Sequence, residues 1–102
     1  EIRTADYWVR HVREAVRFAA SRVPLAICSG AARAEIEPVV DAAGLAACFE
    51  TIVSSDDVAH GKPDPEGYVK ALAALDVDPA DSLVVEDTEA GIVSARAEVG
   101  VA

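Results

Sequence analysis

Three groups of side chains in this sequence have types and spacings suited to chemistry. Ser29 and Gly30 follow a short apolar run, Lys62 stands between Gly61 and Pro63, and Glu86 and Asp87 adjoin after another apolar run. A hydroxyl beside backbone N–H groups at a helix start suits an anionic oxygen, because those amides lack intrahelical partners and the helix dipole is positive there. Arg33 could add a cationic contact to the same cup. The alternative for Ser29 is an ordinary helix cap. Gly61 permits close backbone approach and Pro63 biases Lys62 toward an extended conformation, so an ammonium projects from a stiffened loop. The alternative for Lys62 is a solvated surface lysine. Two adjacent carboxylates are costly to hold together without a counter-charge, and a hard divalent cation with oxygen ligands, Mg²⁺ foremost, would neutralise them. Their alternative is helix-start acids favoured by the dipole.

The elements that must carry these groups follow from the period of the apolar residues. Trp8, Val9, Val12, Ala15, Val16, Ala19 and Ala20 recur at helical steps, which predicts a helix from about Ala5 to Arg22, stopped by Pro24. Leu25 to Cys28 is an apolar run bounded by Pro24 and Ser29-Gly30, the profile of a strand buried on both faces. A second helix is expected over about Ala32 to Ala43, with Gly44 as terminator and Pro38 delaying or bending its first turn. Thr51 to Val53 reads as a second strand. Asp64-Pro65 reads as cap and first residue of a helix running through Val69, Leu72 and Leu75. Ser82 to Val85 is the third strand, followed by a helix from about Glu89 to Glu98 closed by Gly100, and Val101-Ala102 resembles the opening of another strand.

Strands alternating with helices predict a parallel, doubly wound α/β sheet, whose ligands bind outside the carboxyl ends of the strands. That order puts Ser29-Gly30, Asp56-Asp57 and Glu86-Asp87-Thr88 on one rim, with Lys62 able to join them. Asp56 and Asp57 are open between turn-and-cap chemistry and help at a Mg²⁺ site. Asp76-Val77-Asp78 precedes a strand and reads as a turn before Pro79.

Composition bounds the rest. The chain has 102 residues, 52% of them hydrophobic but few aromatic, and a formal net charge of −9. One domain with a thin core is expected at this length. Six arginines against three acids make residues 1–33 net positive, while the remainder is strongly acidic and would repel a phosphate backbone. Nucleic acid is not an expected partner, and Arg10, Arg13 and Arg17 read as the solvated face of the first helix. Nothing has the length and apolarity of a membrane span. Cys28 and Cys48 form neither a C-x-x-C pair nor a disulfide framework, which fits a reducing cytoplasm.

The ordered set Ala26-Ile27-Cys28-Ser29-Gly30, Gly61-Lys62-Pro63-Asp64-Pro65 and Leu83-Val84-Val85-Glu86-Asp87-Thr88-Glu89-Ala90-Gly91-Ile92 resembles the second, third and fourth motifs of the haloacid dehalogenase superfamily. Within that superfamily it is similar to the β-phosphoglucomutase and phosphoglycolate phosphatase branch, over about residues 10–102. The resemblance implies that Ser29 and the Gly30 amide hold a phosphoryl oxygen. It implies that Lys62 neutralises the phosphoryl group and nucleophile, that Asp87 ligates Mg²⁺ with Glu86 as second carboxylate, and that Arg33 lies near the phosphate. The implied chemistry is phosphoryl transfer from a small phosphorylated metabolite through an aspartyl-phosphate.

The superfamily's first motif, a strand followed by D-x-D-G, supplies the nucleophile and has no counterpart among these residues. The resemblance therefore implies a partial core domain over residues 1–102, with residues 1–22 a helix leading in and 23–102 a βαβαβα unit, inactive alone. The central strand, between those ending at Ser29 and Glu86, and the cap domain would be absent. An N-terminal segment of the same protein would be needed to complete the sheet. A phosphomutase, a non-catalytic metal- or protein-binding α/β domain and a phospho-receiver domain are the other readings. The receiver order is disfavoured, because Lys62 precedes the acidic pair.

Overall fold

The computed structural model describes residues 4–85, 91, 93, 100 and 101. Helix α1 spans Thr4–Ala20, strand β1 Ala26–Cys28, helix α2 Arg33–Ala42, strand β2 Thr51–Val53, helix α3 Glu66–Leu75, strand β3 Leu83–Val84 and strand β4 Gly100–Val101. The fold is a parallel α/β arrangement. β1 pairs with β2 in the register Ala26↔Thr51, Ile27↔Ile52 and Cys28↔Val53, and β3 pairs with β4 as Leu83↔Gly100 and Val84↔Val101.

Helices cover both faces of β1 and β2, as the apolar run of β1 predicts. Ile27 and Ile52 turn to one side, where they meet a cluster built on Ile36 and Val40 of α2, Leu45, and Val16 of α1. Cys28 turns to the other side and packs with Tyr68 of α3. Burying each of these aliphatic side chains contributes roughly 1.5–3 kcal/mol, so the α2 cluster anchors this half of the domain.

The helix ends follow local chemistry. α2 stops where Gly44 takes φ 71° and Leu45 N–H donates to Val40 O at 3.0 Å, a termination that only glycine adopts without steric cost. Pro38 lies within α2 without ending it. α3 stops at Asp76, whose φ of 56° is tolerated because aspartate is among the few residues that enter the left-handed region, so Asp76-Val77-Asp78 is indeed a turn. α3 begins at Glu66 with Pro65 as its N-cap, one residue later than expected, so Asp64 stands just before the cap, where its Oδ1 still accepts the Glu66 N–H at 2.9 Å. Gly100 begins β4, whereas it was expected to close a helix. That helix, Glu89 to Glu98, lies outside the described residues apart from Gly91 and Val93, which are helical.

The sheet is divided. Among the described residues β1 bonds to β2 and β3 to β4, and no ladder joins β1 to β3. Among the described residues, no helix is long and apolar enough to cross a membrane, and neither Cys28 nor Cys48 is in a disulfide.

Candidate functional site

At the carboxyl end of β1 the Ser29 N–H still donates to Val53 O at 2.9 Å, so the chain leaves the sheet only after Ser29. Ser29 Oγ accepts the Ala31 N–H at 3.1 Å, and the Ser55 N–H donates to Ala31 O at 3.0 Å, which curls and pins the turn over Gly30. Ser29 does not cap α2. The residue before the helix is Ala32, and the Arg33 N–H at the helix start is held instead by Asp56 Oδ2 at 2.9 Å. A hydroxyl oxygen that accepts one bond keeps its own proton to donate, so Ser29 can still serve an anionic oxygen.

Lys62 is half-buried, and its Nζ donates to Cys28 O at 3.1 Å while lying 5.2 Å from the centre of the Tyr68 ring. The ammonium is therefore drawn back over the end of β1 and is not an ordinary solvated lysine. Its loop is held on both sides. The Asp64 N–H donates to Gly61 O at 3.0 Å across the cis Lys62-Pro63 peptide, and the Glu66 carboxylate accepts the Ala59 and His60 N–H groups at 2.9 and 3.1 Å. Those bonds, the Ala59 amide foremost, hold the Glu66 carboxyl below its usual range, and Lys70, 3.4 Å away, adds to the effect. Ser29, Gly30 and Lys62 line one cleft of about 70 Å³ with Cys28, Ser54 and His60. Two of the three groups singled out in the sequence thus meet.

Arg33 does not join them. Its guanidinium donates to Asp57 Oδ2 and to Ile52 O, each at 2.7 Å, and sits 3.6 Å from Glu37 Oε1. It lines a separate depression with Glu37, Asp41 and Glu50. The expected contact with an anion is replaced by a clasp between the start of α2 and the loop after β2. The reason is electrostatic: Asp57 offers a fixed opposite charge, and a charge-assisted bond of this length is stronger than a neutral one.

Asp56 and Asp57 resolve as turn-and-cap chemistry. Ser54 N–H and Ser54 Oγ donate to Asp57 Oδ2 at 2.7 and 2.8 Å, and the Asp56 N–H donates to Ser54 Oγ at 3.2 Å, a capping box around a short turn. Ser54 is buried, so this box fixes the floor beside the cleft. The spacing S-x-x-D is visible in the sequence as a cap signature; the role of Arg33 in completing it is not. Lys70 Nζ also donates to Asp57 O.

These bonds, the Ser54 amide first, hold the Asp57 carboxyl at about 2, down from its ordinary 3.8. A carboxylate depressed on folding adds stability that is fully present above 3.8 and is lost as the pH falls through about 2. The melting temperature of the Asp57→Asn variant should therefore lie below that of the parent at neutral pH, and the two curves should converge as the pH is lowered across that window. Parallel curves down to pH 2 would show that the clasp does not hold Asp57 ionised.

Among the described residues no cluster of three or more His, Cys, Asp or Glu could hold a metal ion. Asp56 and Asp57 are already engaged. Glu86 and Asp87, the expected ligands, follow β3 directly in the chain and lie outside the described residues.

A parallel α/β sheet with helices on both faces belongs to the doubly wound class of α/β domains, whose ligands bind beyond the carboxyl ends of the strands. The haloacid dehalogenase-like hydrolase family matches residues 2–98. The chain belongs to that family. It is 40% identical over 75 residues to the validoxylamine A 7'-phosphate phosphatase of Streptomyces hygroscopicus subsp. limoneus, covering 74% of this chain and 35% of that protein. It is 52% identical over 44 residues to the β-phosphoglucomutase of Bacillus subtilis, covering 43% of this chain and 20% of the other. The crystal structure of a HAD-superfamily hydrolase of subfamily IA from Geobacter sulfurreducens superposes with a TM-score of 0.82 at 29% identity, over 87% of this chain and 46% of that one. The chain spans less than half the length of each of these proteins.

Proposed function

We propose that this chain carries the phosphate-binding half of a Mg²⁺-dependent phosphatase that acts on a small phosphomonoester in the cytoplasm. The observation that carries this reading is the convergence of Ser29, Gly30 and Lys62 on one cleft at the carboxyl end of β1. Ser29 Oγ–H and the Gly30 amide would donate to a phosphoryl oxygen, and the Lys62 ammonium would offset the charge that accumulates on the group during transfer. Asp87, with Glu86, would hold Mg²⁺, which draws charge from the phosphoryl oxygens when bound. The nucleophilic carboxylate would come from a segment outside these residues. Phosphatase relatives such as the validoxylamine A 7'-phosphate enzyme support a phosphorylated small molecule as the substrate class.

On this reading the 102-residue chain turns nothing over alone. Purified chain, incubated with p-nitrophenyl phosphate and Mg²⁺, should release p-nitrophenol no faster than buffer. Steady-state release that disappears in Lys62→Ala would show that a nucleophile is already present. A phosphomutase reading is favoured by the match to the β-phosphoglucomutase, and detection of an isomerised sugar phosphate in place of orthophosphate, with a strand-completed protein, would select it.

A further inference from the structure

Glu66 begins α3, yet its carboxylate serves a different segment. Oε2 accepts the Ala59 N–H at 2.9 Å and Oε1 the His60 N–H at 3.1 Å, so both oxygens turn back onto the loop that carries Lys62. We propose that Glu66 is the positioning residue of Lys62, a two-oxygen clamp on that loop which sets the ammonium over the carboxyl end of β1. What the clamp does for an anion rests on the phosphate-binding reading of the cleft; that it places the lysine does not.

The path from clamp to lysine is short and is held by hydrogen bonds. Only Gly61 separates His60 from Lys62. A Cβ built on Gly61 would meet nothing within 4 Å, so packing does not fix this link. Glycine also loses more conformational freedom on ordering than any other residue, so the link holds its place only if both of its ends are tied. Glu66 ties the end before it. The Asp64 N–H, donating to Gly61 O at 3.0 Å, ties the end after it, and Asp64 Oδ1 takes the Glu66 N–H at 2.9 Å. The loop and the first residue of α3 thus form one closed ring of bonds. Beyond it, Lys62 Nζ reaches Cys28 O at 3.1 Å and stands 5.2 Å from the centre of the Tyr68 ring.

Two plainer roles for Glu66 fit this geometry less well. An acid in the first turn of a helix is favoured by the dipole wherever its oxygens point. Here they accept amides six and seven residues upstream, outside the helix. A surface pair with Lys70, 3.4 Å away, is the other role, but the Lys70 side chain is 50% exposed and such pairs contribute little. Lys70 Nζ also donates to Asp57 O, so it steadies the carboxylate against the turn after β2. The geometry demands a carboxylate. Glutamine has the same length but offers one acceptor oxygen, and its NH₂ group would meet the second amide donor to donor.

The test uses the Tyr68 ring as a gauge of position. Protons on Lys62 Cε, next to an Nζ that lies over the ring, carry a ring-current shift in the NMR spectrum. Lys62 and Lys70 are the only lysines, so Lys62→Ala identifies the signals. In the parent chain the Ala59 and His60 amides should exchange with solvent at least about tenfold more slowly than in an unstructured peptide. In Glu66→Gln at least one of them should lose that protection, and the Lys62 Cε signals should move toward those of a free lysine. Affinity for orthophosphate, read by isothermal titration, should fall about threefold to tenfold as the loop regains its freedom. A merely structural role would lower the melting temperature and leave the Lys62 signals in place. Glu66→Asp, whose two oxygens sit one methylene closer to the helix, should move those signals in the same direction by less. Unprotected amides in the parent chain would overturn the proposal, as would unmoved Lys62 signals in either variant that folds. Moved signals with unchanged orthophosphate affinity would overturn its role at the site. A parent chain that binds no orthophosphate, but whose Lys62 signals move in Glu66→Gln, would remove the phosphate-binding reading and leave the clamp standing.

Discussion

Replacing Lys62 by alanine is expected to weaken orthophosphate binding to the chain by about tenfold to a hundredfold, read by isothermal titration at low ionic strength. A hydrogen bond to a charged group contributes about 1.5–3 kcal/mol, and each 1.4 kcal/mol is a factor of ten in affinity. Lys62 should deliver the full amount because its loop is already ordered. Glu66 holds the Ala59 and His60 amides, the Gly61–Asp64 turn is closed, and Nζ rests 3.1 Å from Cys28 O. Little side-chain entropy remains to be lost when an anion arrives. Ser29→Ala should cost only severalfold, since a hydroxyl donor contributes about 0.5–1.5 kcal/mol. Lys62→Arg should fail to restore binding, because a planar fork on a longer stem does not occupy the same point above β1. Equal affinities for the parent and Lys62→Ala would remove the lysine from the site.

The comparison with Arg33 shows where a sequence is legible and where it is not. That Lys62 and Ser29 share one cleft is legible because each stands beside residues that restrict the backbone locally, Gly61 and Pro63 in one case and the end of an apolar run in the other. β2 was placed at Thr51–Val53 and α2 within a residue of its ends for the same reason, since apolar period and Gly44 are local signals. Arg33 is placed near the anion by its nearness in sequence to Ser29 and Gly30 and by the family resemblance, and neither reports what else competes for its charge. Its actual partner, Asp57, lies 24 residues away, and only the packing of α2 against the β2 loop brings the two charges together. Gly100 is the same lesson in a backbone. Glycine is a weak strand former and reads as a helix stop, yet pairing with Leu83 fixes it in β4. Long-range pairing overrode local preference in both cases.

Gly67 offers the sharpest test of packing beneath the site. It lies in the first turn of α3, where alanine would ordinarily stabilise a helix by about 0.8–1.0 kcal/mol relative to glycine. Here a Cβ would fall 2.7 Å from Cys28 Sγ, with Val53 and Val58 methyl carbons at 4.0 Å closing the space around it. Sγ sits two bonds from Cα on a side chain with a single χ angle and packs in the Tyr68 cluster, so relief requires moving a short side chain that has neighbours. Overpacking of this kind costs about 1–3 kcal/mol and should exceed the helix gain, lowering the melting temperature of Gly67→Ala by several degrees, at roughly 4–8 °C per kcal/mol for a domain of this size. The sign should reverse once sulfur is removed. Introduced into a Cys28→Ala background, Gly67→Ala should raise the melting temperature, because the clash is gone and the helix preference remains. Cys28 directly precedes Ser29, so strain relieved by shifting β1 would also move the Ser29–Gly30 turn, and on the proposed function Gly67→Ala alone should weaken orthophosphate binding. A stabilising effect of Gly67→Ala in the parent chain would mean that α3 does not approach β1 this closely.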